Sequence, residues 1–415
     1  MLFRFSLYGF LKNQAYFEPF LVLYFVEKGL SFLDIGIAIG VREFVANLMQ
    51  VPTGALADLY GRRRCMIASF VVYILSFLIL SAGTQFWHIL LGISFFGSGD
   101  AFRGGTHKAM ILDWLRAQGR ESERTKVYGY TRSWSKMGSA LSVIIASALV
   151  FVTASYKYIF ISAVIPYVLN LINLATYPRF LDGNRKSNVS LRDVASHLWQ
   201  VTRDSIRRPI LRRLLTESMC FGGIYEAVKD YLQPLLKLAA LSLPLWVGMA
   251  DKQRSAILVG AVYFLLHLLG SYSSRKSHRF MERFGNDDKA SSRLWIYIAS
   301  AYALMFPLLY FQWNAGVIFL FILLASAQNI WRPMLISRFD AHSDPAIGAT
   351  LLSVESQASS LATLLIAPLL GKAIDAANAA LSTAADRHFW PVALFGLVPA
   401  ALIVILNRRN TEKIA

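Results

Sequence analysis

The sequence predicts an all-α membrane protein, with twelve transmembrane helices arranged as two pseudo-symmetric six-helix bundles. Three observations lead there. The 415-residue chain is 55% hydrophobic and only 16% charged, a balance outside that of soluble globular domains. Its apolar residues gather in twelve runs near the length that crosses a bilayer as a helix. The basic residues fall mainly in the short segments between runs, and on one side of the membrane. The net charge of +17 is therefore a matter of topology, and nucleic acid is excluded as a partner.

The runs lie at 3–26, 32–56, 65–83, 87–113, 128–152, 157–177, 211–238, 256–273, 294–312, 315–335, 347–371 and 389–407. The first outlasts a signal-peptide core and has no small-residue cleavage site behind it, so it reads as a retained span. Arg62 to Arg64, Arg116, Arg120, Arg124, Lys126, the arginines from Arg179 to Arg208, then Arg275, Lys276, Arg279, Arg283, Arg408 and Arg409 share one side. Only scattered charges such as Lys28, Lys157, Lys252 and Arg387 lie on the other, which puts both termini in the cytoplasm and the protein in the cytoplasmic membrane.

The longest polar segment, 178–210, separates a first bundle (1–177) from a second (211–415). Within it Leu191, Val194, Leu198 and Val201 recur at helical spacing, predicting an amphipathic linker helix on the cytosolic face. A faint internal repeat supports the division. Tyr16 to Leu21 resembles Tyr231 to Leu236, Asp100-Ala101-Phe102-Arg103 is echoed by Asn329-Ile330-Trp331-Arg332, and Ser133, Ser139 and Leu141 by Ser353, Ser359 and Leu361. Six spans separate the copies, so both halves keep one orientation.

Cys65 and Cys220 lie in predicted helices without metal-ligand spacing, and no phosphate-binding glycine loop or nucleophile constellation is present. No metal, no cofactor and no enzymatic activity are expected.

Between the second and third runs the chain reads Gly54-Ala55-Leu56-Ala57-Asp58-Leu59-Tyr60-Gly61-Arg62-Arg63-Arg64. It must leave the membrane, turn and re-enter within a few residues. Gly54 allows close approach of two helices, Gly61 admits a left-handed backbone, and Asp58 can accept bonds from a helix N-terminus or an arginine. The stretch resembles the loop motif of the major facilitator superfamily, G-x-x-x-D-x-x-G-R-[KR]-[KR], matched at Gly54, Asp58, Gly61, Arg62 and Arg63. After the eighth run Gly270, Arg275, Arg279 and Gly285 look like a worn second copy, with Ser274 in place of an aspartate. The resemblance implies a secondary transporter working by alternating access. It also implies a gating role for the loop, Asp58 holding the outward-facing state through the next helix N-terminus and an arginine. The fifth span lacks the Gly-Pro-x-x-Gly-Gly ending usual in the superfamily's drug antiporters, a departure that counts against that subclass.

Charges inside spans need a partner or a wet cavity. In the first span Gln14 and Glu18 share a face before Pro19; in the seventh, Glu226, Lys229, Asp230 and Gln233 share one before Pro234. These read either as walls of a substrate and proton pathway or as structural pairs such as Glu226 with Lys229. In the fourth span Asp100, Arg103 and His107 fall on one helical face, either as a relay or anion site or with Asp100 neutralising Arg103. Arg132, Arg332, Glu355 and Gln357 complete the candidates, and Asp113 is a partner for the loop arginines or Arg132. Lys12, Arg103, Lys229 and Arg332 suit an anionic or zwitterionic substrate, with Glu18, Asp100, Glu226 and Glu355 placed to neutralise them.

The expected function is proton-coupled transport of a small organic solute by a monomer in the lipid bilayer, export being preferred to uptake by symport. A non-transporting receptor or assembly subunit is the alternative from another class.

Overall fold

The computed structural model describes residues 1–104, 106–182, 191–285, 287–342, 348–381 and 387–412, and all regular structure among them is helical. The first predicted span is broken into α1 (Leu2–Lys12) and α2 (Leu21–Glu27), with a 3-10 turn at Glu18–Phe20 between them. Pro19 lies in that turn, with no N–H to donate and a ring that clashes with the preceding helical turn. The second gives α3 (Phe32–Leu48) and α4 (Gln50–Tyr60). Next come α5 (Arg62–Ala82), α6 (Phe86–Arg103), α7 (Thr106–Ala117), α8 (Arg124–Thr153) and α9 (Lys157–Ala175).

The predicted linker helix is α10 (Leu191–Arg207). The seventh span is the most interrupted: α11 (Pro209–Ser218), a π-turn at Met219–Gly223, α12 (Ile224–Val228), a 3-10 turn at Lys229–Tyr231 and α13 (Leu232–Ser242). Long helices follow: α14 (Asp251–Phe284), α15 (Asp287–Tyr310), α16 (Asn314–His342), α17 (Gly348–Leu381) and α18 (Pro391–Glu412). Among the described residues, seven helices are long and apolar enough to cross a membrane. The predicted first, second, fourth and seventh spans lose that status to their interruptions, and the apolar part of α18, Pro391–Asn407, is shorter. Conversely α14, with 34 residues, would reach about 50 Å, well past a bilayer core.

The chain divides into two compact units that do not follow chain order. The first comprises Met1–Tyr24, Val41–His197 and Met249–Phe264. There α5 packs on α6 and α9, and α1 packs on α8 and α9. Small residues set the spacing, as is usual between helices in lipid. Gly92 and Gly99 of α6 receive Leu80 and Tyr73 of α5, while Ser76 and Ser69 donate to their carbonyls at 2.7 and 2.8 Å. Side chains of α9 reach the backbone of α1: Tyr167 Oη donates to Lys12 O, a carbonyl freed where α1 stops, at 3.1 Å, and Asn170 Nδ2 to Tyr8 O at 3.1 Å. In the same unit Gln253 of α14 donates to Phe151 O at 3.0 Å.

The second unit comprises Phe25–Gly40, Leu198–Gly248 and Leu265–Ala415. Its α15 packs on α16 and α18, and α17 on α12 and on the π-turn, where Thr363 donates to Gly223 O at 2.9 Å. The start of α3 is bound tightly to α17. Asp375 accepts the N–H groups of Phe32 and Leu33 at 3.0 and 2.8 Å, an N-terminal cap supplied from 342 or more residues away. Close backbone approach makes this possible, since a Cβ on Gly371 would stand 2.0 Å from the Phe32 carbonyl oxygen. Gly371→Ala is accordingly expected to cost about 1–3 kcal/mol. Thermal unfolding of the purified protein in detergent checks this, and an unchanged melting temperature would contradict it.

Candidate functional site

In the first unit, α1, α6, α7 and α8 enclose a cavity of about 660 Å³, within the range of small-molecule sites. It is lined by Phe5, Tyr8 and Gly9 from α1, Arg103 from α6, His107, Lys108, Ile111 and Leu112 from α7, and Tyr128, Thr131, Arg132 and Ser135 from α8. Four basic side chains thus face one space, and no carboxylate lines it among the described residues.

The break between α6 and α7 shapes this wall. Asp100 and Arg103 occupy the last turn of α6, whereas His107 belongs to a separate helix that starts beyond Gly104. The continuous helical face expected for Asp100, Arg103 and His107 is therefore replaced by two helices whose ends meet at the cavity, α6 ending where Gly104 turns to φ −53°, ψ 118°. Arg103 is only partly engaged. Its Nη2 donates to Asp100 Oδ1 at 3.1 Å and its Nε to Tyr73 Oη at 3.3 Å, while Tyr73 donates to the same carboxylate at 2.5 Å. The Arg103 side chain is 29% exposed. The buried hydroxyl of Tyr8 lies beside the Arg103 guanidinium, and the Tyr8 ring stacks on His107 at 3.7 Å between centroids. Arg132 is exposed in this wall and forms no ion pair among the described residues. An anion entering the cavity would meet two guanidinium groups, a phenol and hydroxyls from Thr131 and Ser135.

The other candidates lie elsewhere. Gln14 is buried at the contact of α1 with α8, donating to Gly138 O at 3.2 Å, and Glu18 is exposed. In the second unit Lys229 pairs with Glu226 at 2.5 Å, while Asp230 and Gln233 are buried. Arg332 grips Glu355 with both ends of its fork, at 2.6 and 2.8 Å, and Ser218 donates to the same carboxylate. Glu355 is buried whereas Arg332 is 41% exposed, and Gln357 is half-buried on the same helix.

Gly61 takes φ 100° between α4 and α5, and Arg62 pairs with Asp113, which also faces Arg116 at 3.7 Å. Gly54 does not serve close packing: it is exposed, with nothing described within 4 Å of where its Cβ would be. The side chain of Asp58 lies outside the described residues. A carboxylate from elsewhere in the unit meets the start of α5: Asp182 accepts the Arg63 N–H at 3.1 Å. Arg63 also donates to Ala175 O at 3.0 Å and Tyr177 O at 3.2 Å.

Sequence reasoning missed Asp182, and also a buried cluster in the second unit. Arg338 donates to Glu217 at 2.6 and 3.1 Å, to Asp288 at 2.8 Å and to Ser291 at 3.0 Å, and Trp295 donates to Glu217 at 3.3 Å.

A family model for the Major Facilitator Superfamily matches residues 10–367, most of the chain. The chain belongs to the Major Facilitator Superfamily. The family is one of transporters rather than enzymes. Among curated relatives, the inner membrane transport protein YajR of Escherichia coli (strain K12) is 30% identical over 103 residues, 25% of this chain and 21% of that protein. The multidrug resistance protein MdtH of Photorhabdus laumondii subsp. laumondii is 24% identical over 132 residues, 32% of each chain. These matches span about a fifth to a third of the relatives' length. The solved nucleoside transporter NupG is similar with a TM-score of 0.76, covering 99% of this chain and 98% of that one at 14% identity. A D-xylose-proton symporter gives 0.64, covering 97% and 96%, also at 14% identity. At that identity the likeness is one of fold: this superfamily member is a multi-pass membrane protein with the superfamily fold.

Proposed function

We propose that this superfamily member is a monomeric secondary transporter that moves a small anionic or zwitterionic organic solute by alternating access. In this reading twelve spans form two six-helix bundles, 1–177 and 211–415, joined by 178–210, with both termini on the cytosolic side of the cytoplasmic membrane. The observation that carries it is the cavity on Arg103, His107, Lys108 and Arg132, with no lining carboxylate among the described residues. Such a site holds an anion through charge-assisted hydrogen bonds and leaves apolar wall for the rest of a solute. Export is preferred to uptake, on the loop motif and on relatives named for multidrug resistance.

Protons are the proposed coupling ion, and Glu355 is the carboxylate placed to carry one. It is buried against the partly exposed Arg332, so a change of partner by Arg332 would leave Glu355 needing another cation or a proton. Glu355→Gln is expected to keep solute exchange across vesicles at equal pH while losing accumulation driven by a pH gradient. Gradient-driven accumulation at the native level would overturn this assignment.

A further inference from the structure

Two cations of the cavity between α1, α6, α7 and α8 lack a counter-charge. Arg103 has the Asp100 carboxylate behind it at 3.1 Å, so that pair is neutral together. Lys108 and Arg132 also line the cavity, both are exposed, and neither forms an ion pair among the described residues. The four helices carry two carboxylates, Asp100 and Asp113, and Asp113 is already engaged by Arg62 and Arg116. Glu18, beyond the end of α1, stands near two other cations, Lys12 and Lys136. With His107 as the neutral imidazole, the cavity is left with two positive charges.

Those two charges belong to one seam. Tyr128 Oη donates to Lys108 O at 3.0 Å, which ties α7 to α8 at that point. Arg132 lies one turn further along α8 from Tyr128, and both side chains face the cavity. A carrier working by alternating access closes over its solute, and closure removes the water that screens these groups. Each unbalanced cation then carries the penalty of a bare charge inside a membrane. A zwitterion would leave both cations unbalanced and a monoanion one, whereas a dianion leaves none. Because both cations sit at one seam, the two negative charges belong on one group rather than at the two ends of a dicarboxylate. We infer that the solute is a phosphate monoester, its dianionic group held by Lys108 and Arg132 and its organic part lying along Phe5, Tyr8 and Ile111. The assignment rests on the proposed transport function and narrows its solute to one doubly charged group.

The test is calorimetric titration of the purified full chain in detergent at pH 8, where an ordinary imidazole is neutral and a phosphate monoester, with its second pKa at about 6, is a dianion. Phenyl phosphate is compared with methyl phenyl phosphate, which has nearly the same shape and a single charge, and with benzoate, terephthalate and inorganic phosphate. Phenyl phosphate is expected to bind about tenfold more tightly than methyl phenyl phosphate or benzoate. Lys108→Gln and Arg132→Gln, each leaving one unbalanced cation, should weaken phenyl phosphate about tenfold and abolish its advantage over the diester, which a purely structural role for either residue would not do. Both positions are exposed, and unaltered thermal unfolding verifies that each variant is folded. Equal binding of the diester or of benzoate would overturn the assignment while leaving an anion carrier standing. Tighter binding of terephthalate, inorganic phosphate bound as well as the ester, or a preference for phenyl phosphate that survives both substitutions would also overturn it. Binding of no anion at all would overturn the assignment and the proposed function together.

Discussion

Replacing Arg103 with glutamine is expected to lower the initial rate of solute transport by about 10- to 100-fold, the loss of one or two charge-assisted hydrogen bonds to an anion. Arg103 is the guanidinium that reaches the cavity while anchored behind by Asp100 and Tyr73. Its removal also strands the Asp100 carboxylate, so the single variant confounds binding with folding. Arg103→Gln combined with Asp100→Asn separates them: the pair removes both charges, should restore insertion and melting behaviour, and should still fail to transport. Native transport by that double variant would reduce Arg103 to a counter-ion of Asp100.

The largest expected loss of stability comes from Arg338→Met. Arg338 and Glu217 are 3% and 0% exposed as side chains, and removing one partner of a buried pair costs about 3–5 kcal/mol. Arg213 remains 3.1 Å from Glu217, which puts the expected cost nearer the lower end, about 3 kcal/mol. Thermal unfolding in detergent should show a clear fall in the midpoint, partly recovered when Glu217→Gln is added. An unchanged midpoint would mean that Glu217 takes all the compensation it needs from Arg213, Ser291 and Trp295.

Hydropathy made the membrane class legible because every span must satisfy its own backbone and therefore advertises itself as an apolar run. The loop motif made the family legible through five residues at fixed spacing, and the φ of Gly61 followed from its being a glycine in a tight turn. Interruptions were less legible. An apolar window does not register whether Gly104 breaks a helix, or whether Gly222 and Gly223 form a π-turn against α17, since both depend on neighbours distant in sequence. Long-range pairings were invisible for the same reason. Asp182 at the start of α5 and Arg338 on Glu217 join residues 119 and 121 positions apart, and neither has a local signature. At the cavity, Arg103, His107 and Arg132 were legible as charges inside apolar runs, whereas Tyr8 was one aromatic among many and gained meaning only through its stacking on His107 and its place beside Arg103.

Under the proposed function, this superfamily member couples movement of an anionic or zwitterionic solute to protons. The most direct measurement reconstitutes the purified protein in liposomes enclosing a pH-sensitive dye, imposes a proton gradient and adds anionic, zwitterionic and cationic solutes in turn. The predicted result is a proton flux that depends on an anionic or zwitterionic solute, whose sign gives the direction of transport, and that is lost in both the Arg103→Gln/Asp100→Asn and Glu355→Gln variants. Flux with cations alone, or solute movement with no accompanying proton, would contradict the account.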